Sequence, residues 1–149
     1  MTTKQFLPLP YGQDDFDNLK ADGCYFVDKT SSLKDVIDTD KSYVMLFTRP
    51  RRFGKSLFMT MAESFLKIDS DNPGDTTLQQ KSFKNTKILE DKEFCEKYMG
   101  QYPVICLTLK GVHGVDFEDA YYKLAEVVSA KANEYSFLKD SPSLDEKEK

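Results

Sequence analysis

The tightest constraint on this chain lies between residues 43 and 66. Tyr43-Val44-Met45-Leu46-Phe47 is a near-continuous run of apolar β-formers. A run without polar alternation predicts a strand covered on both faces, as in a parallel sheet flanked by helices. Leu57 to Leu66 reads as a helix from about Ser56, apolar around most of its circumference and therefore deeply packed. Its Met59 and Met61 read as core filling. Between the two lies Arg49-Pro50-Arg51-Arg52-Phe53-Gly54-Lys55-Ser56. A strand, a tight basic loop and a helix in this order are the setting of a phosphate-binding G-x-x-x-x-G-K-[ST] loop.

The second half of that pattern is intact as Gly54-Lys55-Ser56, whereas Arg49 replaces the first glycine. Pro50 offsets the loss, because a residue before proline is driven into extended backbone and the proline itself fixes the bend. Each remaining residue has a physical role to fill. Gly54 allows the backbone to turn close to a phosphate, where a Cβ would clash. Backbone N–H groups from about Arg52 through Phe53 to Leu57, together with the helix N-terminus, form an anion cradle. The Lys55 ammonium reaches phosphate oxygens, and the Ser56 hydroxyl is a ligand for a Mg²⁺ that bridges them.

Charge distribution supports an anion at this point. The chain carries a net charge of −4, which opposes general affinity for nucleic acid. Yet all its arginines, Arg49, Arg51 and Arg52, fall in this loop, and every other cation is lysine or the single His113. Arginine presents a planar fork of donors that matches phosphate. Cations at a helix N-terminus oppose the helix dipole, so their gathering there makes sense chiefly around an anion. Two sources of phosphate remain open on these grounds, a nucleotide and a nucleic-acid backbone. A degenerate loop serving as an interaction scaffold is a third reading, to which retention of Gly54, Lys55 and Ser56 runs counter.

The rest of the sequence frames this loop. With 149 residues, 40 % of them apolar and 31 % charged, the composition is that of one soluble globular domain, and the cytoplasm is the compartment expected of it from the lack of a membrane-crossing run and of a signal peptide's apolar stretch. No apolar run approaches the roughly 20 residues that cross a bilayer, so no membrane partner is expected. Cys24, Cys95 and Cys106 lack C-x-x-C pairing and read as reduced thiols. His113 reads as a turn residue. Asp15 to Ala21 predicts a short helix ended near Gly23, and Asp28 or Thr30 caps a second whose apolar face is Leu33, Val36 and Ile37. Residues 69 to 82 read as a loop around Asp71-Asn72-Pro73-Gly74-Asp75, and Ile88 to Met99 as one charged helix. Pro103 to Leu109 is the second strong strand. Asp116 caps a long helix to about Tyr135, with Phe117, Tyr121, Leu124, Val127 and Val128 on its apolar side. Residues 1–138 are assigned to the domain and 139–149 to a charged, disordered tail.

Leu46-Phe47-Thr48-Arg49-Pro50-Arg51-Arg52-Phe53-Gly54-Lys55-Ser56-Leu57 resembles the variant phosphate loop of the bacterial AAA-ATPase-like family. Leu9-Pro10-Tyr11-Gly12, Tyr25-Phe26-Val27-Asp28-Lys29-Thr30 and Gln101-Tyr102-Pro103-Val104-Ile105 match as well, so the resemblance runs from about Leu7 to Tyr135. It implies an α/β fold of the ASCE P-loop type, three layers α/β/α, with ATP and Mg²⁺ as ligands. Relatives commonly carry a C-terminal PD-(D/E)xK nuclease-like domain, through which nucleic acid would be an indirect partner. The resemblance also places Tyr25 to Thr30 near the adenine, with Phe26 and Val27 against the base and Lys29 and Thr30 beside it. Phe26 and Val27 read equally well as plain core.

Hydrolysis needs an apolar strand ending in an acid that holds Mg²⁺ and the attacking water. Asp35-Val36-Ile37-Asp38 and Lys87-Ile88-Leu89-Glu90 are too short and too polar to be that strand, and no arginine follows Arg52 to act as a finger. The expectation is an incomplete domain, the nucleotide-binding half, with little or no hydrolysis by itself. In the strand order that the resemblance implies, the two predicted strands are not neighbours. Their open edges would then invite self-association or pairing with a complementing C-terminal segment.

Overall fold

Short carboxylate side chains decide where several helices begin. Asp15 accepts a 2.8 Å hydrogen bond from the Asn18 N–H and caps α1, Phe16–Ala21. Asp91 does the same for α5, Lys92–Tyr98, through Phe94, and Asp116 for α6, Phe117–Glu134, through Asp119. Between them come α2 (Ser32–Ile37), α3 (Lys55–Leu66), α4 (Thr77–Ser82) and a 3₁₀ turn at Lys87–Glu90. The structure, a computed structural model, describes residues 6–37 and 44–137. Tyr43, at the start of the first expected strand, and the expected tail at 139–149 lie outside them. The chain divides into two units, Met1–Val104 and Ile105–Lys149.

The first unit is organised by phenylalanine. Phe16, Leu33, Met61, Phe65, Phe83, Ile88, Phe94 and Met99 form one buried cluster. Its rings pass contacts along a chain. Phe26 meets Phe16 edge-on at 5.5 Å, Phe16 meets Phe83 at 4.7 Å, Phe83 meets Phe65 at 5.3 Å, and Phe65 stacks on Phe94 at 5.7 Å. Such pairs contribute about 0.5–1.5 kcal/mol each beyond area burial. Polar ties hold α1 on α3. The Thr60 hydroxyl accepts from the Phe16 N–H at 3.1 Å and donates to the Asp14 carbonyl at 3.0 Å, while Ser64 donates to Asp17 at 2.7 Å. Residues 100–102 run parallel to the end of α3, with Gly100 N–H on the Phe65 carbonyl and Tyr102 N–H on that of Leu66.

Several expectations are corrected. Among the described residues no strand forms, and the isolated parallel bridge Lys67–Tyr102 is the sole β pairing. The three-layer α/β/α arrangement is therefore not present among them. Val44 and Leu46 are 83 % and 85 % exposed and Ile105 is 70 % exposed, where strands covered on both faces were expected. β-propensity reflects fit to a pleated, half-buried surface more than a preference of the backbone itself, so a β-prone run is not by itself a strand. Within the predicted loop 69–82, residues 77–82 form α4, whose N-cap is Thr76, and the carboxylate of Asp75 just before it accepts from the Thr77 N–H at 2.9 Å. The single helix expected over Ile88 to Met99 breaks at Asp91, because that carboxylate caps a new helix there. Met61 is buried as expected, but Met59 is half exposed.

In the second unit, Val112 and His113 lie in the turn before α6, and the Lys123 ammonium donates to the His113 carbonyl at 2.8 Å. The helix has the predicted bounds and cap, yet no residue of α6 is buried. Cys24, Cys95 and Cys106 are half-buried, and none of them is in a disulfide. Among the described residues no helix is long and apolar enough to cross a membrane, and no group of His, Cys, Asp and Glu could hold a metal ion.

Candidate functional site

Helix α3 begins without the device used at α1, α5 and α6. Its N-cap is Gly54, no side chain caps it, and no acidic residue stands in its first turn. Instead that turn carries Lys55 and Ser56, and Arg51 and Arg52 precede it. The first N–H groups of a helix have no intrahelical partners and point outward along its axis. An uncapped end flanked by cations is therefore suited to an anion.

The loop backbone is bent into the left-handed region twice, at Arg52 (φ 67°) and Gly54 (φ 75°). Left-handed residues within a turn swing successive N–H groups toward one side, the geometry of an anion nest. Gly54 is needed for its φ. A Cβ built there would meet no protein atom within 4 Å, so the clash expected from the sequence is not with the protein itself. The Lys55 ammonium folds back over the loop, donating to the Arg49 carbonyl and, at 3.0 Å, to the Pro50 carbonyl. These bonds fasten the loop's start to the first turn of α3.

The loop opens on a cleft of about 540 Å³, within the range of about 300–1,000 Å³ usual for small-molecule sites. Arg49, Phe53, Gly54 and Lys55 form one side. Tyr25, Phe26, Val27 and Lys29 line it as well. Its floor comes from α3, through Leu57, Phe58 and Met61. Helix α2 contributes Ser32, Asp35 and Val36, and the run before the loop contributes Met45 and Phe47. Phe47 packs on Phe58 at 5.3 Å. The cleft is thus mainly apolar, with cations concentrated at the loop.

Of the residues singled out in sequence, Phe26, Val27 and Lys29 share this cleft with Arg49, Phe53, Gly54, Lys55 and Leu57. Pro50, Arg51, Arg52 and Ser56 are exposed and do not line it. Thr30 stands apart from the expectation. It is fully buried, and its hydroxyl donates to Asp28 at 2.7 Å and accepts from the Ile88 N–H at 3.2 Å. Thr30 was expected beside the adenine, but its side chain serves a structural role in the core instead.

Sequence reading missed Ser32, Asp35, Met45, Phe58 and Met61 as cleft residues, and it reached Tyr25 only as the first residue of the segment set near the adenine. Tyr25 opens a matched block and Ser32 and Asp35 are spaced i, i+3 on α2, but their meeting with the loop is tertiary. Asp28 sits just below the wall. Partial burial would raise its carboxyl, but hydrogen bonds from the Thr30 hydroxyl, the Thr30 N–H and the Lys87 N–H outweigh that and hold it below the usual carboxylate value. A second cleft, of about 610 Å³ between α1, the end of α3 and α4, is lined by Lys20, Lys67 and Lys81 among others and holds no residue of the loop.

No curated protein and no solved structure gives a significant match to this chain. The model of a family described as predicted AAA-ATPase matches residues 10–149, and the chain belongs to this AAA-ATPase-like family, which accords with nucleotide binding in general and with a P-loop fold.

Proposed function

We propose that the cleft binds Mg-ATP, with the polyphosphate at Arg49–Leu57 and the base toward Phe26, Val27 and Lys29. One observation carries this reading. The uncapped start of α3, with Lys55 in its first turn, opens into the same cleft as Tyr25, Phe26, Val27 and Lys29. The loop supplies backbone N–H groups and ammonium for phosphate oxygens. Ser56, at the second position of α3, offers the hydroxyl for Mg²⁺. Tyr25, Phe26 and Val27 offer apolar surface for a planar base. The cleft carboxylate from α2, Asp35, does not follow an apolar strand, so little or no hydrolysis is expected of these residues alone.

The test is calorimetric titration of Mg-ATP into the wild type and Lys55→Ala. Removing an ammonium that meets charged oxygens should weaken binding by roughly tenfold to a hundredfold. Equal affinity in the two proteins would reject the loop as the phosphate site. A second reading is favoured by Arg51 and Arg52, which are exposed outside the cleft and could meet nucleic-acid backbone phosphates. Affinity for a DNA oligonucleotide that falls steeply with salt, with no response to Mg-ATP, would select it.

A further inference from the structure

Between the strip that lines the cleft and the aromatic core lies a small polar knot. Asp28 accepts from the Thr30 N–H at 2.9 Å and from the Thr30 hydroxyl at 2.7 Å with one carboxylate oxygen. Its other oxygen accepts from the Lys87 N–H at 2.8 Å. Thr30 in turn accepts from the Ile88 N–H at 3.2 Å. These bonds span 59 and 58 residues of sequence, and Thr30 is fully buried while Ile88 belongs to the core cluster. Neither Asp28 nor Thr30 lines the cleft, yet their chain neighbours Val27 and Lys29 do. The start of α2 depends on the same knot, because the Ser32 N–H bonds the Lys29 carbonyl and the Leu33 N–H bonds that of Thr30, each at 3.0 Å. Two contributors to the cleft, the strip 25–29 and α2, are therefore set by one junction.

Building on the nucleotide reading above, we infer that Asp28 and Thr30 are positioning residues for the nucleoside half of the ligand. They fasten the strip and α2 to the 3₁₀ turn at Lys87–Glu90 and so set affinity for the base without touching it. The phosphate half of the cleft is held separately, by α3 and by the Lys55 bonds across its own loop. A change in the knot should therefore divide the two halves of the ligand, which a general loss of structure would not do.

The experiment compares Mg-ATP with inorganic tripolyphosphate, which has the charge but no nucleoside, by calorimetric titration of the whole chain. Thr30→Val keeps the shape and removes the hydroxyl, leaving the Ile88 N–H without its partner. It should weaken ATP by roughly tenfold, the effect of one buried hydrogen-bonded group, while tripolyphosphate changes by less than about twofold. Thr30→Ser restores the hydroxyl and should restore ATP affinity. Asp28→Asn, at a less buried position, should give the same split and serves if Thr30→Val is too unstable to purify, since one amide cannot accept from both Thr30 and Lys87 at once. Unchanged ATP affinity in Thr30→Val, or equal losses for both probes, would overturn the inference while leaving the loop reading intact. A wild type that binds neither probe would refute the loop reading, and the knot's role with it.

Discussion

Gly54→Ala separates what the loop does for folding from what it does for a ligand. Gly54 has φ 75°, and a Cβ added there meets no protein atom within 4 Å. The folding penalty is therefore backbone strain alone, about 1–2 kcal/mol for an L-residue in left-handed conformation. Reduced freedom of the unfolded chain offsets about 0.4–1 kcal/mol of this. A net loss near 1 kcal/mol lowers the unfolding midpoint by about 4 °C in a domain of this size. Gly74 is a matched control, with φ 95°, no neighbour within 4 Å of an added Cβ, and no place in the cleft. Alanine at either position should give similar thermal unfolding curves by circular dichroism. Only Gly54→Ala should lose Mg-ATP affinity, by roughly tenfold or more, on the order of a lost charged hydrogen bond, because the added methyl occupies space that the proposed phosphate would fill. Equal ATP affinity in the two variants, at equal stability, would refute the idea that this turn wraps a polyphosphate.

Two further outcomes test the frame around the site. Phe65→Ala removes a fully buried ring that touches Phe83 and Phe94, and should lower stability by about 3–5 kcal/mol in denaturant unfolding. Asp91 has its carboxyl held below the ordinary value, first by the hydrogen bond from Lys34 and then by the Phe94 N–H. Its contribution is present above the unfolded-state value and disappears as pH falls through the lower folded-state value. Asp91→Asn should accordingly flatten the acid limb of an unfolding-midpoint-against-pH curve below about pH 4, compared with the wild type.

What could be read from residues alone was whatever depends on near neighbours in sequence. The short helix from Asp15 and the cap at Asp116 are local, and the loop's Gly54-Lys55-Ser56 between an apolar run and a helix is local too. Asp91 and Asp75 escaped notice because their carboxylates compete with stronger signals nearby: an apparently continuous charged helix in one case, and Asn72-Pro73-Gly74 in the other. The apolar run at residues 44–47 was legible as β-prone, but whether it forms a ladder depends on a partner that its own sequence does not specify. Thr30 illustrates the same limit. Its place in a matched block pointed toward a ligand, whereas its partner Ile88 lies 58 residues away.

The site and the core are joined through few rings. The loop from residue 49 to 54 is exposed throughout, so little packing of its own fixes it. Its firm reference is α3, anchored by Met61 and Phe65 in the core. The strip with Phe26 is referenced to the same core by the edge-on contact with Phe16, which touches Phe83, which in turn touches Phe65. Both halves of the cleft thus take their positions from one aromatic chain rather than from a sheet. Close-packed interiors transmit displacement, so a ring removed at Phe83 should disturb both halves together, while a change in the Asp28–Thr30 knot disturbs one. That difference follows from where each residue sits along the path from core to cleft.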